Sequence, residues 1–303
     1  MAATIFHRVL IGAMQHVPEP VAWRFSKRYI AGNHLQDAFE TVRKLNELGC
    51  SATIDVLGED SESAERVIAA RDLYVEALHS IEPASLDCNI SIKLSDMGLR
   101  LDAARCTEVM REIVSSARGH KNFVRIDMED SSVTTVTLDV YRELRKSFEN
   151  IGVVIQSCLR RSAADVAELL RGGPTNVRIC KGIYIEPEEI AFQDPNDVRN
   201  SYLEILRQLL DGGATRVGIA THDPLLIEQA KDTIRNLNIA KDRYEFQMLL
   251  GVAEHLRKDL VEEGHPLRVY VPFGELWFKY SMRRLAENPK IAGHIVRNLF
   301  HRN

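Results

Sequence analysis

The sequence predicts a (βα)8 barrel preceded by a helical arm, and three observations lead there. Eight short runs rich in Val, Ile and Leu recur along the chain, each about strand length. Stretches of helical periodicity separate them, and strands that alternate with helices pair in parallel through crossovers. The eight units occupy about 250 residues, the usual extent of such a barrel. An open doubly wound sheet is the competing architecture. The first run, however, is followed by LGEDSES rather than the GxGxxG turn that a dinucleotide-binding sheet needs.

Taken in order, residues 1–50 read as the helical arm, including HLQDAFETVRKLNELG from His34, and residues 51–303 as the barrel. The strands are SATIDVLG from Ser51, NISIKLS from Asn89, FVRIDME from Phe123 and GVVIQS from Gly152. VRICKG from Val177, RVGIATH from Arg216, YEFQMLLG from Tyr244 and LRVYVPFG from Leu267 complete the set. Between the first two, SAERVIAARDLYVEAL forms a helix with Ser63 as its cap. VRNSYLEILRQLLDGG forms another and stops on Gly212-Gly213, as Gly172-Gly173 stops the one before strand five. Glu129 and Asp130 are expected to cap the helix after strand three.

Composition narrows the function classes. A net charge of -4 on 303 residues does not suggest nucleic-acid binding, which usually shows a basic face. No apolar run reaches the roughly 18 residues of a spanning helix. Five scattered cysteines without a CxxC pair read as reduced thiols, which favours the cytoplasm, and Cys158 and Cys180 are expected to pack. A signal peptide would need a longer apolar run than the N-terminus offers and a small-residue cleavage site, and a short transit peptide is the alternative to reading it as the start of the helical arm.

The strand ends are unusually polar. Asp55 and Glu59, Lys93, Asp127 and Glu129, Gln156, Arg178 and Lys181, His222 and Asp223, Gln247 and Tyr270 follow one another around the barrel. Barrel chemistry sits at this C-terminal face. Charges there are costly to bury unless they pair or bind something. A purely structural ion network of Asp55, Lys93 and Asp127 is the plain alternative, and Gln156 and Gln247 could be satisfied core amides. Only His222 among ten histidines stands at a strand end, so a metal centre is not expected. Lys93 and Lys181 keep a Schiff-base aldolase open. Arg178, Lys181, Gln156, Gln247 and His222 suit a large anionic cofactor. Arg283-Arg284 follow strand eight, either as a solvated turn or as a clamp for an anion.

In these motifs the chain resembles the proline dehydrogenases. These include the monofunctional bacterial enzymes and the matching domain of bifunctional proline utilisation proteins. IDVLGE, SIKLS, RIDMEDS, VIQSCLR, VRICKGIY, IATHD, EFQMLLGV and RVYVPFGELWFKYSMRRLAENP occur in family order over about residues 35–290. The resemblance implies a distorted TIM-like barrel with FAD held noncovalently over its C-terminal mouth. Lys93, Asp127, Tyr270, Tyr280, Arg283 and Arg284 would surround proline, with Ile179 and Leu249 as apolar walls. Met128, Gln156, Arg178, Lys181-Gly182-Ile183, Thr221-His222 and Gln247 would hold the flavin, and Glu59 would face Arg283 as an ion-pair gate.

The implied reaction oxidises L-proline to Δ1-pyrroline-5-carboxylate by hydride transfer to flavin N5, the first step of proline degradation to glutamate. Asp127 and Arg178 would be catalytic. Electrons would pass to a quinone through peripheral contact with the inner membrane. The chain departs from the family pattern at Trp277-Phe278-Lys279-Tyr280, where Trp-Tyr-Pro-Tyr is frequent, and at Leu250, where an aromatic is frequent. It also has its own loop at Ser157-Cys158-Leu159.

Overall fold

The computed structural model describes residues 23, 26–58, 60–278 and 280–281. Eight parallel strands close into a barrel in sequence order, β1 pairing with both β2 and β8. They are β1 (Ser51–Val56), β2 (Cys88–Lys93), β3 (Val124–Asp127), β4 (Ile151–Gln156), β5 (Asn176–Cys180), β6 (Arg216–Ala220), β7 (Tyr244–Leu249) and β8 (Leu267–Phe273). Each expected run contains most or all of one of them, usually overrunning its C-terminal end by a residue or two, where the chain has already left the ladder.

Helix α1 (Leu35–Glu47) precedes β1. Its apolar residues recur three or four apart, so Ala38, Phe39, Val42 and Leu45 share one buried face. The helix lies against β8 and β1. The Asp37 carboxylate, three residues into the helix, accepts from the His34 N–H at 2.9 Å and closes its first turn. The chain just before α1 is also tied to the barrel. Ala31 N–H donates to Pro272 O at 2.9 Å, and Trp23 meets Trp277 edge-on at 4.8 Å. That contact accounts for part of the aromatic run after β8.

The remaining helices are α2 (Ala64–Ile81), α3 (Ala103–Gly119), α4 (Ser131–Arg145), α5 (Ser162–Arg171), α6 (Pro195–Asp211), α7 (Pro224–Asn236) and α8 (Glu254–Glu262). Their caps follow the expected chemistry. Ser63 accepts from Arg66 N–H, Asp194 and Asp223 cap α6 and α7 ahead of a proline, and Gly172 and Gly212 end α5 and α6. Asp130 caps α4 through Ser132 N–H. Glu129 does not. It is buried and turned the other way, accepting from Ser95 N–H at 3.0 Å and from the Ser95 hydroxyl.

Alternation along each strand sorts the side chains. Ile54, Ile90, Ile92, Ile126, Val153, Ile179, Val217, Ile219, Phe246 and Val269 are fully buried in the apolar shell between strands and helices. The other face points into the barrel and is polar. The Tyr270 hydroxyl on β8 donates to Asp127 on β3 at 2.7 Å, a bond between strands that are not neighbours and that must cross the interior. Glycines leave room for these long side chains: a Cβ at Gly152 would collide with the Arg125 guanidinium, and one at Gly218 would lie 2.6 Å from Gln247 Nε2.

Candidate active site

A cavity of about 760 Å³ opens at the C-terminal ends of the strands, toward the upper end of the roughly 300–1,000 Å³ typical of ligand sites. Its polar lining comes from the expected positions. Lys93, Asp127, Gln156, Arg178, Gln247 and Tyr270 form one part, and Lys181, Gly182, Ile183, Thr221 and His222 another. Met128, Leu249 and Tyr280 also line it.

Asp127 is the hub. Oδ1 accepts from Ser91 Oγ and from Arg178 Nη1, both at 2.7 Å, and Oδ2 accepts from Tyr270. The Arg178 guanidinium lies 5.5 Å from the Tyr270 ring centre, a cation–π contact that burial strengthens. Burial raises the Tyr270 phenol well above its usual range, and the Asp127 carboxylate pushes it the same way, so the hydroxyl stays a donor. Beside this hub Lys93 Nζ reaches Asp55 at 3.0 and 3.2 Å. Burial pulls the Lys93 ammonium toward neutrality, but the carboxylates of Asp55 and Asp127 outweigh it and hold the charge above the ordinary lysine range. Burial pushes the Asp55 carboxyl up to about 6 against the opposing pull of Lys93. The pair is charged at neutral pH, and two carboxylates are matched by two cations.

The second part of the lining is held by the backbone and by ion pairs. Gln156 Nε2 donates to Glu129 O at 2.8 Å, and His222 Nε2 accepts from Leu249 N–H at 2.8 Å. Lys181 and Arg199 both reach Asp223, at 2.5 and 2.7 Å. Two cations on one carboxylate leave a net positive rim beside the N-terminus of α7. Gly182 takes φ +97°, and a Cβ there would strike Cys158 Sγ, so this turn can sit close to the mouth only as glycine.

Three corrections follow. Ile179 is not an apolar wall of the cavity. Arg178 and Cys180 point inward, so alternation turns Ile179 outward into the shell, where it is fully buried. Cys180 lines the cavity instead of only packing, and Lys93 is not in the apolar pocket that a Schiff-base lysine requires. Glu59, Arg283 and Arg284 lie outside the described residues. Sequence reasoning passed over Ser91, Val154, Tyr184, Ala220 and Pro224. Ser91 was detectable, since it stands two before Lys93 on the same strand face.

The fold and this mouth define a barrel enzyme whose site combines a charged hub with an apolar, cation-rimmed cleft. Comparison with known proteins narrows this. A family model described as proline dehydrogenase matches residues 38–297. Proline dehydrogenase 2 of Bacillus subtilis (strain 168) is 39% identical over 263 residues, covering 86% of each chain. A proline dehydrogenase of Deinococcus radiodurans is 35% identical over 283 residues, 91% of this chain and 90% of that one. A crystal structure of proline utilization A from Bdellovibrio bacteriovorus, inactivated by N-propargylglycine, superposes with TM-score 0.81 at 27% identity. It covers 87% of this chain and 32% of that longer one. This chain belongs to the proline dehydrogenase family.

Proposed function

We propose that this chain oxidises L-proline to Δ1-pyrroline-5-carboxylate at the β-barrel mouth with FAD as its cofactor, the first step of proline catabolism. The observation that carries the reading is the hub of Asp127, Arg178, Tyr270 and Lys93 on the floor of a cleft with room for a flat ring system and a small substrate beside it.

The residues fit a flavin. Amides at Gln156 and Gln247 suit the hydrogen-bonding edge of an isoalloxazine, Met128, Ile183 and Leu249 suit its flat apolar faces, and the Lys181–Arg199 rim suits a diphosphate. Thr221 and His222 complete the holding set. FAD bound there would supply the acceptor for a hydride from the ring carbon next to nitrogen. The chain's own residues do the rest. Asp127 accepts the hydrogen bond of the substrate's ring N–H, orients that carbon, and takes the nitrogen proton as the C–N bond becomes C=N. Lys93, held protonated, cannot take that proton and instead supplies charge and shape. Tyr270, Leu249 and Tyr280 close on the ring methylenes and exclude water. Arg178 places positive charge where electrons arrive. Arg283 and Arg284 are assigned to the substrate carboxylate, with Glu59 as gate, on family membership alone.

The acceptor in this proposal is a quinone, reached by peripheral contact with the inner membrane from the cytoplasm. Supporting it, Ile183 lines the cavity and is 43% exposed, and Ile185, two residues on, is 86% exposed. Among the described residues no helix is long and apolar enough to cross a membrane. The division into an arm over 1–50 and a barrel over 51–303 belongs to the same proposal.

The test is the visible spectrum of the purified protein. A flavin spectrum bleached by L-proline is the expected result. A flavin protein indifferent to proline would make the chain a sensor, and a colourless protein trapped by borohydride with an aldehyde would make it an aldolase.

A further inference from the structure

The polar network continues below the cavity floor. Glu245 stands two residues before Gln247 on β7, on the same face and one layer deeper. Its Oε1 accepts from Gln247 Nε2 at 2.6 Å and from Arg268 Nε at 2.8 Å, and its Oε2 forms an ion pair with Arg216 Nη2 at 2.9 Å. The other end of the Gln247 amide, Oε1, accepts from Arg178 Nε. Arg178 in turn gives Nη1 to Asp127.

An amide has a donor end and an acceptor end, whereas a carboxylate only accepts. The ionised Glu245 therefore takes the NH2 end and turns the carbonyl end toward Arg178. With the amide reversed, NH2 would face guanidinium, donor against donor. Burial alone would raise the Glu245 carboxyl, but Arg268 and Arg216 hold it down at about 2, so it is ionised throughout the neutral range. Gly218 on the neighbouring strand keeps space for the amide in this rotamer, since a Cβ there would lie 2.6 Å from Nε2 and 2.8 Å from Cδ.

We propose that Glu245 is a positioning residue for proline oxidation: acting through Gln247, it holds the Arg178 guanidinium against Asp127 at the cavity floor. This rests on the assignment of Arg178 and Gln247 to the flavin side of the cavity. In the plain alternative, Glu245 only neutralises two arginines deep in the barrel.

The holoenzyme is compared with Glu245→Gln and Gly218→Ala by three measurements. These are FAD affinity of the apoprotein by fluorescence titration, the single-turnover rate of flavin bleaching at saturating proline, and the half-saturating proline concentration. Glu245→Gln is expected to weaken FAD binding and slow bleaching by about tenfold each, the equivalent of about 1.4 kcal/mol. Half-saturation should change less than about threefold, because the carboxylate clamp is untouched. Gly218→Ala keeps every charge and displaces only the amide, and should reproduce this pattern. A Glu245→Gln protein that merely unfolds at lower temperature, with wild-type affinity and bleaching, overturns the proposal. If that variant does not fold, Gly218→Ala decides, and wild-type behaviour there overturns it equally. Wild-type protein that neither binds FAD nor bleaches overturns the flavin reading and this inference with it. Wild-type behaviour of both variants beside an active parent overturns the inference alone.

Discussion

Asp127→Asn removes one charge and almost no volume from the hub. The carboxylate it replaces accepts three hydrogen bonds of 2.7 Å, from Ser91, Arg178 and Tyr270. Its side chain is 13% exposed and that of Arg178 8%, so water does not screen the pair. Removing one partner of a buried pair costs about 3–5 kcal/mol, because the other charge stays without a counterion. The asparagine carbonyl can still accept one bond, and Gln247 still faces Arg178 Nε, which places the expected cost at the lower end. About 3 kcal/mol is about two decades in an equilibrium or rate ratio. Steady-state turnover of L-proline with an artificial acceptor should therefore show kcat/KM reduced about 100-fold. Thermal unfolding of the same sample shows how much of the cost the fold itself carries. Tyr270→Phe supplies the internal control: it leaves the ion pair and removes one bond to a charged group, worth about 1.5–3 kcal/mol. Activity of Asp127→Asn within about threefold of the parent, or a larger loss in Tyr270→Phe than in Asp127→Asn, would refute the placement of Asp127 as hub.

Glu245 gives a pH signature. Its carboxyl stands at about 2 in the fold against a reference of 4.5, so the unfolded chain binds more protons between those values. The linked stability, about 3 kcal/mol, is present above about pH 4.5 and lost as pH falls toward 2. In urea unfolding, the gap between parent and Glu245→Gln should therefore shrink between about pH 6 and about pH 3, and a constant gap contradicts the ion cluster. Lys93 is held protonated by Asp55, so borohydride treatment with an aldehyde should leave it unmodified by mass spectrometry. A reduced adduct on Lys93 would restore the aldolase reading. Gly182→Ala meets both a positive φ and Cys158 Sγ, and should lose about 1–3 kcal/mol of stability together with flavin occupancy. Adding Cys158→Ala relieves the contact but not the backbone strain, so only partial recovery is expected, and an undiminished Gly182→Ala protein would show that this turn does not shape the site.

The barrel was legible in the sequence because its signal is local. Strand-length apolar runs, capping residues such as Ser63 and Asp130, and terminal glycines act within a few residues of themselves, and all recur in the structure. The polar strand ends were legible for a related reason. Lys93, Asp127, Gln156, Arg178, Gln247 and Tyr270 break runs that burial should keep apolar, and each lines the cavity. What the sequence could not decide was partnership. Glu129 looks like a helix cap beside Asp130, yet it turns inward to Ser95, a choice settled by a loop 34 residues away. Ile179 is a pocket wall by the family resemblance until closure of the barrel shows which face of β5 is inside. Glu245 carries no local mark of its partners, and only the closed barrel surrounds it with Arg268, Arg216 and Gln247. Hydrogen bonds and ion pairs across a barrel depend on register and on which strands meet around the ring. Those are properties of closure, and no window of sequence contains them.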